Sequence, residues 1–480
     1  MTIWLPDIAS VKGPKYRAIA EALAADVASG RLAPGTRLPT HRDLAWRMGV
    51  TVGTVSRAYA LAQARGLIAG EVGRGTLVRG PGFAPAGRMV PADFSAHVLD
   101  IPSGRPGLPP QQQGIIEMIQ NVCTVPGIGG ILADGLGRIG DAIAVAAASG
   151  YQGPNGHVAH RVAGAAWLGR SGLSVDADSV FVVSGGQHGL TTAFMALASA
   201  GDSVVVEPLT WAGARNLATT LGLRLHTAPM DEHGIMPDGF ETICRTVRPR
   251  LLYTIPTLQN PTSIVMPEDR RRKIAAIART HDVVIVEDNV FGFLVPDAPP
   301  PIAASDPDVT IHVAGLSKSV TPVLRTGYLY VPDRFRPQIA AAIRATTIMP
   351  SFVTAQLATV LIESGAADAT AEAGRRMAGE RQQLARRVLG PAAGSTHANA
   401  SHVWLPLPQG WSGAELAAAA LAQGVAITAG GAFNALANSD HPGHVRLSLC
   451  TEPDAERVRR GLEIVAGLLA AGPGAATSVI

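Results

Sequence analysis

The chain has 480 residues, of which 47% are hydrophobic and 16% charged, with three cysteines and a formal net charge of +3. That is apolar enough for a large core and excludes a disordered or collagen-like chain. Its mean hydropathy of +0.21 comes without any apolar stretch of 18 residues free of charge or proline, so no membrane span is predicted. Cys123, Cys244 and Cys450 are odd in number and far apart, so neither a disulfide framework nor a metal site is expected. The first residues, Met1 to Asp7, lack the basic and apolar regions of a secretory signal, and reduced thiols fit a cytoplasmic protein.

Charge is uneven along the chain. Residues 1–80 hold eleven basic and five acidic side chains, a net of +6, which leaves −3 for the rest. A basic head on a slightly acidic body points to a nucleic-acid partner for the head alone. Within it, residues 14–29 place Ile19, Leu23 and Val27 on one helical face. Thr40, with Asp43 three residues on, caps a second helix, HRDLAWRM, which stops at Gly49. Thr51 or Gly53 opens a third, whose inner row is Val55, Tyr59 and Ala62. LIAGEVGRGTLVRG then reads as two short strands around Gly73-Arg74-Gly75.

Three helices and a β-wing make a winged helix-turn-helix, whose third helix enters the DNA major groove. Thr51, Thr54, Ser56 and Arg57 lie at its N-terminal end, where side chains reach base edges. Arg42, at the start of the second helix, is placed for phosphate or a guanine edge, and Arg74 on the wing for the backbone or minor groove. The string RLAPGTRLPTHRDLAWRMGVTVGTVSRAYALAQARGLIAGEVGRGTLV resembles the GntR family of bacterial regulators over nearly the whole head. The resemblance implies an operator of double-stranded DNA as partner. The expected division is a DNA-binding domain over 1–80, a Gly/Pro/Ala-rich linker over 81–92 and a large domain over 93–480.

In the large part, SVFVVSGG (179–186), DSVVVEP (202–208), RLLYTIP (250–256), DVVIVED (282–288), VTIHVAG (309–315) and TGYLYVP (326–332) read as buried strands. Helices such as QHGLTTAFMALAS and PEDRRRKIAAIARTH fall between them, so an α/β sheet, mostly parallel, is predicted. Ligands of such sheets bind beyond the carboxyl ends of the strands.

Lysine marks the place. The chain has only four, Lys12, Lys15, Lys273 and Lys318, against 36 arginines. Lys318 follows a predicted strand, and a lysine where arginine is the usual cation suggests a need for an amine that can lose its proton, as in a Schiff base. Arg325, seven residues on, suits a phosphate. Asp288 ends its strand and can pair with a protonated pyridine nitrogen. Asn260 can donate to a phenolic oxygen. Gly186 and Gln187 lie in a Gly-rich turn opening a helix, whose N–H groups hold anions. Trp211 offers a face for ring stacking, and Arg446 a clamp for a carboxylate.

This order of motifs resembles fold-type I aminotransferases over about residues 93–470. Joined to the head, the chain resembles the MocR-type subfamily of GntR regulators. The expected architecture is thus two-domain: a small α+β winged helix-turn-helix, then a large α/β domain of the fold-type I, pyridoxal-phosphate-dependent kind. The resemblance implies pyridoxal 5'-phosphate as cofactor, with Lys318 its Schiff-base lysine, Asp288 its N1 partner and Asn260 an O3' ligand. Arg325, Gly186, Gln187 and Ser317 are expected around the phosphate, and Trp211 against the ring. Arg446 would take an effector's α-carboxylate, and Tyr151 would reach the phosphate of a second subunit in a head-to-tail homodimer. Two departures stand out: Phe291 where relatives carry a tyrosine on O3', and Gly315 where they carry a serine or threonine on the phosphate. The implied function is a transcriptional regulator that senses an amino compound. The alternative is an active aminotransferase with an appended DNA-binding domain, against which Phe291 leans.

Overall fold

The computed structural model describes residues 4–6, 14–33, 35–64, 67–71, 75–78, 114–394, 396–436 and 443–473. Its internal contacts divide it into two units, Met1–Met89 and Val90–Ile480. The expected linker, 81–92, and the expected domain edges at 80 and 93 lie outside the described residues.

In the first unit, α1 (Lys15–Ala28), α2 (His41–Met48) and α3 (Val52–Ala64) precede an antiparallel pair, β1 (Ile68–Glu71) and β2 (Gly75–Val78). Thr40 caps α2, its hydroxyl accepting from the Asp43 amide at 3.2 Å, and Gly49 ends it with a left-handed φ of 59°. The Thr51 hydroxyl accepts from the Thr54 amide at 3.2 Å and so serves as the cap of α3. Ile19, Leu23, Leu44, Val55, Tyr59 and Ile68 are all buried, because each helix turns its apolar row inward.

The second unit is built on a seven-stranded sheet. Its strands are β4 (Val180–Val183), β5 (Ser203–Val206), β6 (Arg224–Thr227), β7 (Leu251–Thr254), β8 (Val284–Asp288), β9 (Thr310–Gly315) and β10 (Gly327–Tyr330), in the spatial order β4-β10-β9-β8-β7-β5-β6. All six predicted strands are in it. The seventh, β6, escaped prediction because RLHT is an edge strand, with none of its four residues fully buried. The sheet is parallel except for β10, which runs antiparallel to both β9 and β4. Residues on both faces are buried: Phe181 and Val183 pack on one side, Val180 and Val182 on the other. That explains the continuous apolar runs.

Further along, β11 (His402–Pro406), β12 (Thr428–Ala429) and β13 (His444–Ser448) form a small antiparallel sheet in the order β11-β13-β12. Among the described residues, no helix is long and apolar enough to cross a membrane.

Arg271 braces the loop after β7. It is 1% exposed and donates to the carbonyls of Met266 (2.9 Å), Pro256 (3.0 Å) and Pro300 (3.2 Å) and to the Thr257 hydroxyl (2.9 Å). Glu287 of the neighbouring β8 adds a favourable field. Truncation would strand three buried acceptors, on Met266, Pro256 and Thr257, and Glu287. We therefore expect Arg271→Ala to cost about 3–5 kcal/mol, read as a lower urea midpoint at unchanged m-value.

Candidate functional site: a lysine at the end of a strand

Three strand ends bring the predicted residues together. Asp288 is the last residue of β8. The turn Leu316–Ser319, which carries Lys318, follows β9 directly. The Gly185–Gly186 turn follows β4 and opens the helix Gly186–Leu197. This is the carboxyl edge of the sheet, where crossover connections leave room for a ligand.

Lys318 is half-buried, and among the described residues no carboxylate lies within ion-pair distance of its amine. Its pKa is pushed down to about 8, by burial first and then by the positive field of Arg446, while Asp288 pulls the other way. Its Nζ lies 5.9 Å from the centre of the Phe291 ring. An amine so placed loses its proton at a lower pH than an ordinary lysine, and its neutral form can act as a nucleophile.

Asp288 is buried. The Tyr253 hydroxyl donates to its Oδ2 at 2.9 Å and the Val290 amide to its Oδ1 at 3.2 Å. Burial raises its pKa, against the pull of Tyr253, Val290 and the more distant His312 and Lys318. A cation at this carboxylate would therefore be strongly held.

The turn after β4 and Arg325 together offer donors to an anion. Gly185 has a φ of 84°, and a Cβ there would stand 2.7 Å from the Arg325 guanidinium. The left-handed φ favours glycine here, and any side chain would also displace the guanidinium. Arg325, itself left-handed at φ 44°, donates to the Ser317 hydroxyl at 3.2 Å and to the Ser184 carbonyl at 3.3 Å. Gln187 lies in the first turn of the helix, and its Oε1 is buried without a partner. Ser317 is the hydroxyl beside Arg325. Ser319 turns away and donates to the Gly315 carbonyl at 3.4 Å. Nearby His188 is fully engaged: its Nδ1 accepts from the Ser184 amide at 3.1 Å, and its Nε2 lies 2.8 Å from the Thr346 hydroxyl.

Asn260 and Arg446 meet directly. Arg446 is 4% exposed, donates from Nη1 to Asn260 Oδ1 at 2.9 Å and from Nη2 to the Ile119 carbonyl, and lies 4.7 Å from the centre of the Phe433 ring. Its Nε is buried without a partner. Burial lowers its pKa to about 10, so it remains a cation, opposed in part by the field of Glu117.

Trp211 caps the helix that follows β5, and its ring lies close over Gly213. Tyr151 is 81% exposed and makes no hydrogen bond to the residues above. In the head, Arg42, Thr51 and Arg57 are exposed. Thr51 and Thr54 share a hydroxyl contact of 2.9 Å, and Ser56 lies 3.1 Å from His41 Nδ1. Arg74 lies outside the described residues.

Sequence reasoning missed Tyr253, Ile119 and Phe433. Tyr253 had a signal: it is an aromatic hydroxyl in the strand beside Asp288, opposite Val286 in register. The other two carry none, since one acts through its backbone and the other through a plain phenyl ring.

The geometry has counterparts. Residues 139–464 match the family described as aminotransferase class I and II, and residues 15–78 match the bacterial regulatory proteins of the gntR family. The chain is 27% identical over 466 residues to the uncharacterized HTH-type transcriptional regulator YdeF of Bacillus subtilis, covering 97% of this chain and 96% of that one. It is 26% identical over 416 residues to YdfD of the same organism, an uncharacterized HTH-type transcriptional regulator, covering 83% of each. Among solved structures, the α-aminoadipate aminotransferase LysN of Thermus thermophilus shares the fold, with a TM-score of 0.67 at 23% identity over 78% of this chain and 97% of that one. The chain belongs to the class I and II aminotransferase family and carries a gntR-type helix-turn-helix head, a combination that fits the MocR type of GntR regulator.

Proposed function

We propose that this protein is a transcriptional regulator whose large unit holds pyridoxal 5'-phosphate and responds to an amino compound bearing a carboxylate. The observation that carries this reading is that the carboxyl edge of the sheet groups an amine with a lowered pKa (Lys318), a buried carboxylate (Asp288), the Gly185 turn with Arg325, and a buried arginine with an unused donor (Arg446), the three charged groups all acting on Lys318. Bound there, the cofactor supplies an aldehyde that exchanges one amine for another. Lys318 would present the resident amine, Arg325 with the Gly186–Gln187 turn would bind the phosphate, and Asp288 would hold a proton at the pyridine nitrogen. Asn260 would serve the phenolic oxygen, Trp211 would stack on the ring, and Arg446 would orient the incoming carboxylate.

The exposed side chain of Tyr151 is available to a second subunit, which supports a homodimer. Two heads would then meet two half-sites on an operator. The readout must be a difference in effector affinity between two states of the protein, commonly worth about 1–3 kcal/mol.

The test is the visible absorbance spectrum of purified protein titrated with an amine panel, followed by operator-binding assays. An amine that shifts the band and also changes operator affinity supports the reading. A responsive band with unchanged operator affinity overturns it. In the head, Arg57→Ala is expected to weaken operator binding by about 1–3 kcal/mol, checked by fluorescence anisotropy across a salt series.

Turnover is the second reading, favoured by the depressed pKa of Lys318, which suits a proton carrier. Stoichiometric release of a keto acid from the amino compound would establish it. Phe291→Tyr adds a hydroxyl close to Lys318. If that hydroxyl reaches the phenolic oxygen, the absorbance titrates at lower pH than in wild type, because the new hydrogen bond stabilises the deprotonated form.

A further inference from the structure

Arg446 is held by two anchors from distant parts of the chain, Asn260 Oδ1 and the Ile119 carbonyl. Neither anchor belongs to a helix or strand, so neither is fixed by a regular hydrogen-bond ladder. One side chain touches the neighbours of both. His402, on β11, is 1% exposed. Its Nε2 lies 2.8 Å from the carbonyl of Pro261, the residue after Asn260. Its Nδ1 lies 3.0 Å from Nδ2 of Asn121, two residues after Ile119.

These partners fix the proton. A carbonyl only accepts and an amide nitrogen only donates, so the ring carries its hydrogen on Nε2 and accepts at Nδ1. That is the neutral imidazole with both nitrogens used. Burial, and next the field of Arg446, push its pKa down to about 3, so the ring is neutral near neutral pH. Asn121 Oδ1 accepts in turn from the Ser401 hydroxyl at 2.7 Å. A rigid ring with a donor on one side and an acceptor on the other thus spans the two loops. Truncating it would strand the Pro261 carbonyl and the Asn121 amide in a dry interior.

We propose that His402 is a positioning residue of the carboxylate site: by bonding to Pro261 and Asn121 together it fixes the two loops that hold the Arg446 guanidinium. This rests on the reading that Arg446 receives the carboxylate of an amino compound. His402 touches neither effector nor cofactor, and its effect passes through Arg446.

The test uses full-length, cofactor-loaded protein and matched probes that differ by a carboxylate: L-alanine against ethylamine, and 4-aminobutyrate against propylamine. Absorbance of the Lys318-bound cofactor and ligand-induced thermal shift report binding. His402→Ala is expected to weaken the acid member of a responding pair about tenfold and leave the plain amine within about twofold. Borohydride-fixed cofactor per chain should not change. His402→Gln, which can still donate to Pro261, is expected to recover part of the loss. In an Arg446→Lys background, His402→Ala should add no further selective loss.

Equal weakening of both members would mean general structural damage and overturn the proposal, as would no weakening at all. A selective loss that persists in the Arg446→Lys background would show an action independent of Arg446 and also overturn it. If His402→Ala does not fold, His402→Gln and Asn121→Ala carry the same comparison. A wild type that responds to neither member of either pair fails the sensing reading itself, a pattern distinct from all of these, and the inference falls with it.

Discussion

Lys318→Ala is expected to abolish borohydride-fixed cofactor, from one group per chain to none, while operator binding in the absence of effector survives. The reason is chemical. Among the described residues, Lys318 is the lysine placed at the carboxyl edge of the sheet, and Lys15 and Lys273 are exposed. Arginine cannot substitute, because it does not deprotonate in the working range. The pH dependence has a definite sign. Burial and Arg446 lower the pKa of the amine to about 8, so its reactive neutral fraction grows as pH rises towards and through that value, then levels off. The rate of cofactor uptake by apoprotein should follow the same curve, measured by stopped-flow absorbance. Uptake that is flat between pH 6.5 and 9.5 would refute the assignment.

Arg446→Gln is expected to have the second largest effect. Losing a buried, hydrogen-bonded charge partner commonly costs about 2–5 kcal/mol, or roughly 30- to several-thousand-fold in affinity. The loss should fall on amines that carry a carboxylate and spare their decarboxylated counterparts. A second consequence follows from the field of Arg446 at Lys318. That field depresses the pKa of the amine, so removing the positive charge raises it. The midpoint of cofactor uptake should therefore move above pH 8 in Arg446→Gln. A midpoint that stays put, or moves down, would mean that burial alone sets the pKa of Lys318. Together, titration of the amine pairs and the uptake profile separate the two roles of this arginine, one in recognition and one in the electrostatics of the amine.

Much of this was legible in the sequence, for identifiable reasons. The head could be read because its caps are local: Thr40 binds Asp43 and Thr51 binds Thr54, each three residues away. Six of the seven strands of the large sheet could be read because burial on both faces leaves continuous apolar runs. The antiparallel course of β10 could not, since strand direction leaves no mark on composition. Lys318, Asp288 and Arg325 could be singled out because each is a charged group beside the end of a predicted strand. The surroundings of Arg446 could not. Its anchors lie 186 and 327 residues away in sequence, and His402 reaches across 141 residues to Pro261 and 281 to Asn121. Such closures are set by packing, and nothing in the strings IIEMIQNVC or ASHVWLP reveals them. The expected linker, 81–92, lies outside the described residues.

The scarcity of lysine has a practical side. Aldehydes condense with any exposed primary amine, so a protein coated with lysines is modified at many points when offered excess pyridoxal phosphate. This chain carries its surface positive charge almost entirely on guanidinium groups, which form no such adducts under mild conditions. Its exposed Lys273 pairs with Asp269 at 3.6 Å. The cell can therefore saturate the protein with the aldehyde at little risk of decorating its surface. In the test tube, peptide mapping after reduction should yield one dominant labelled fragment, the one that contains Lys318.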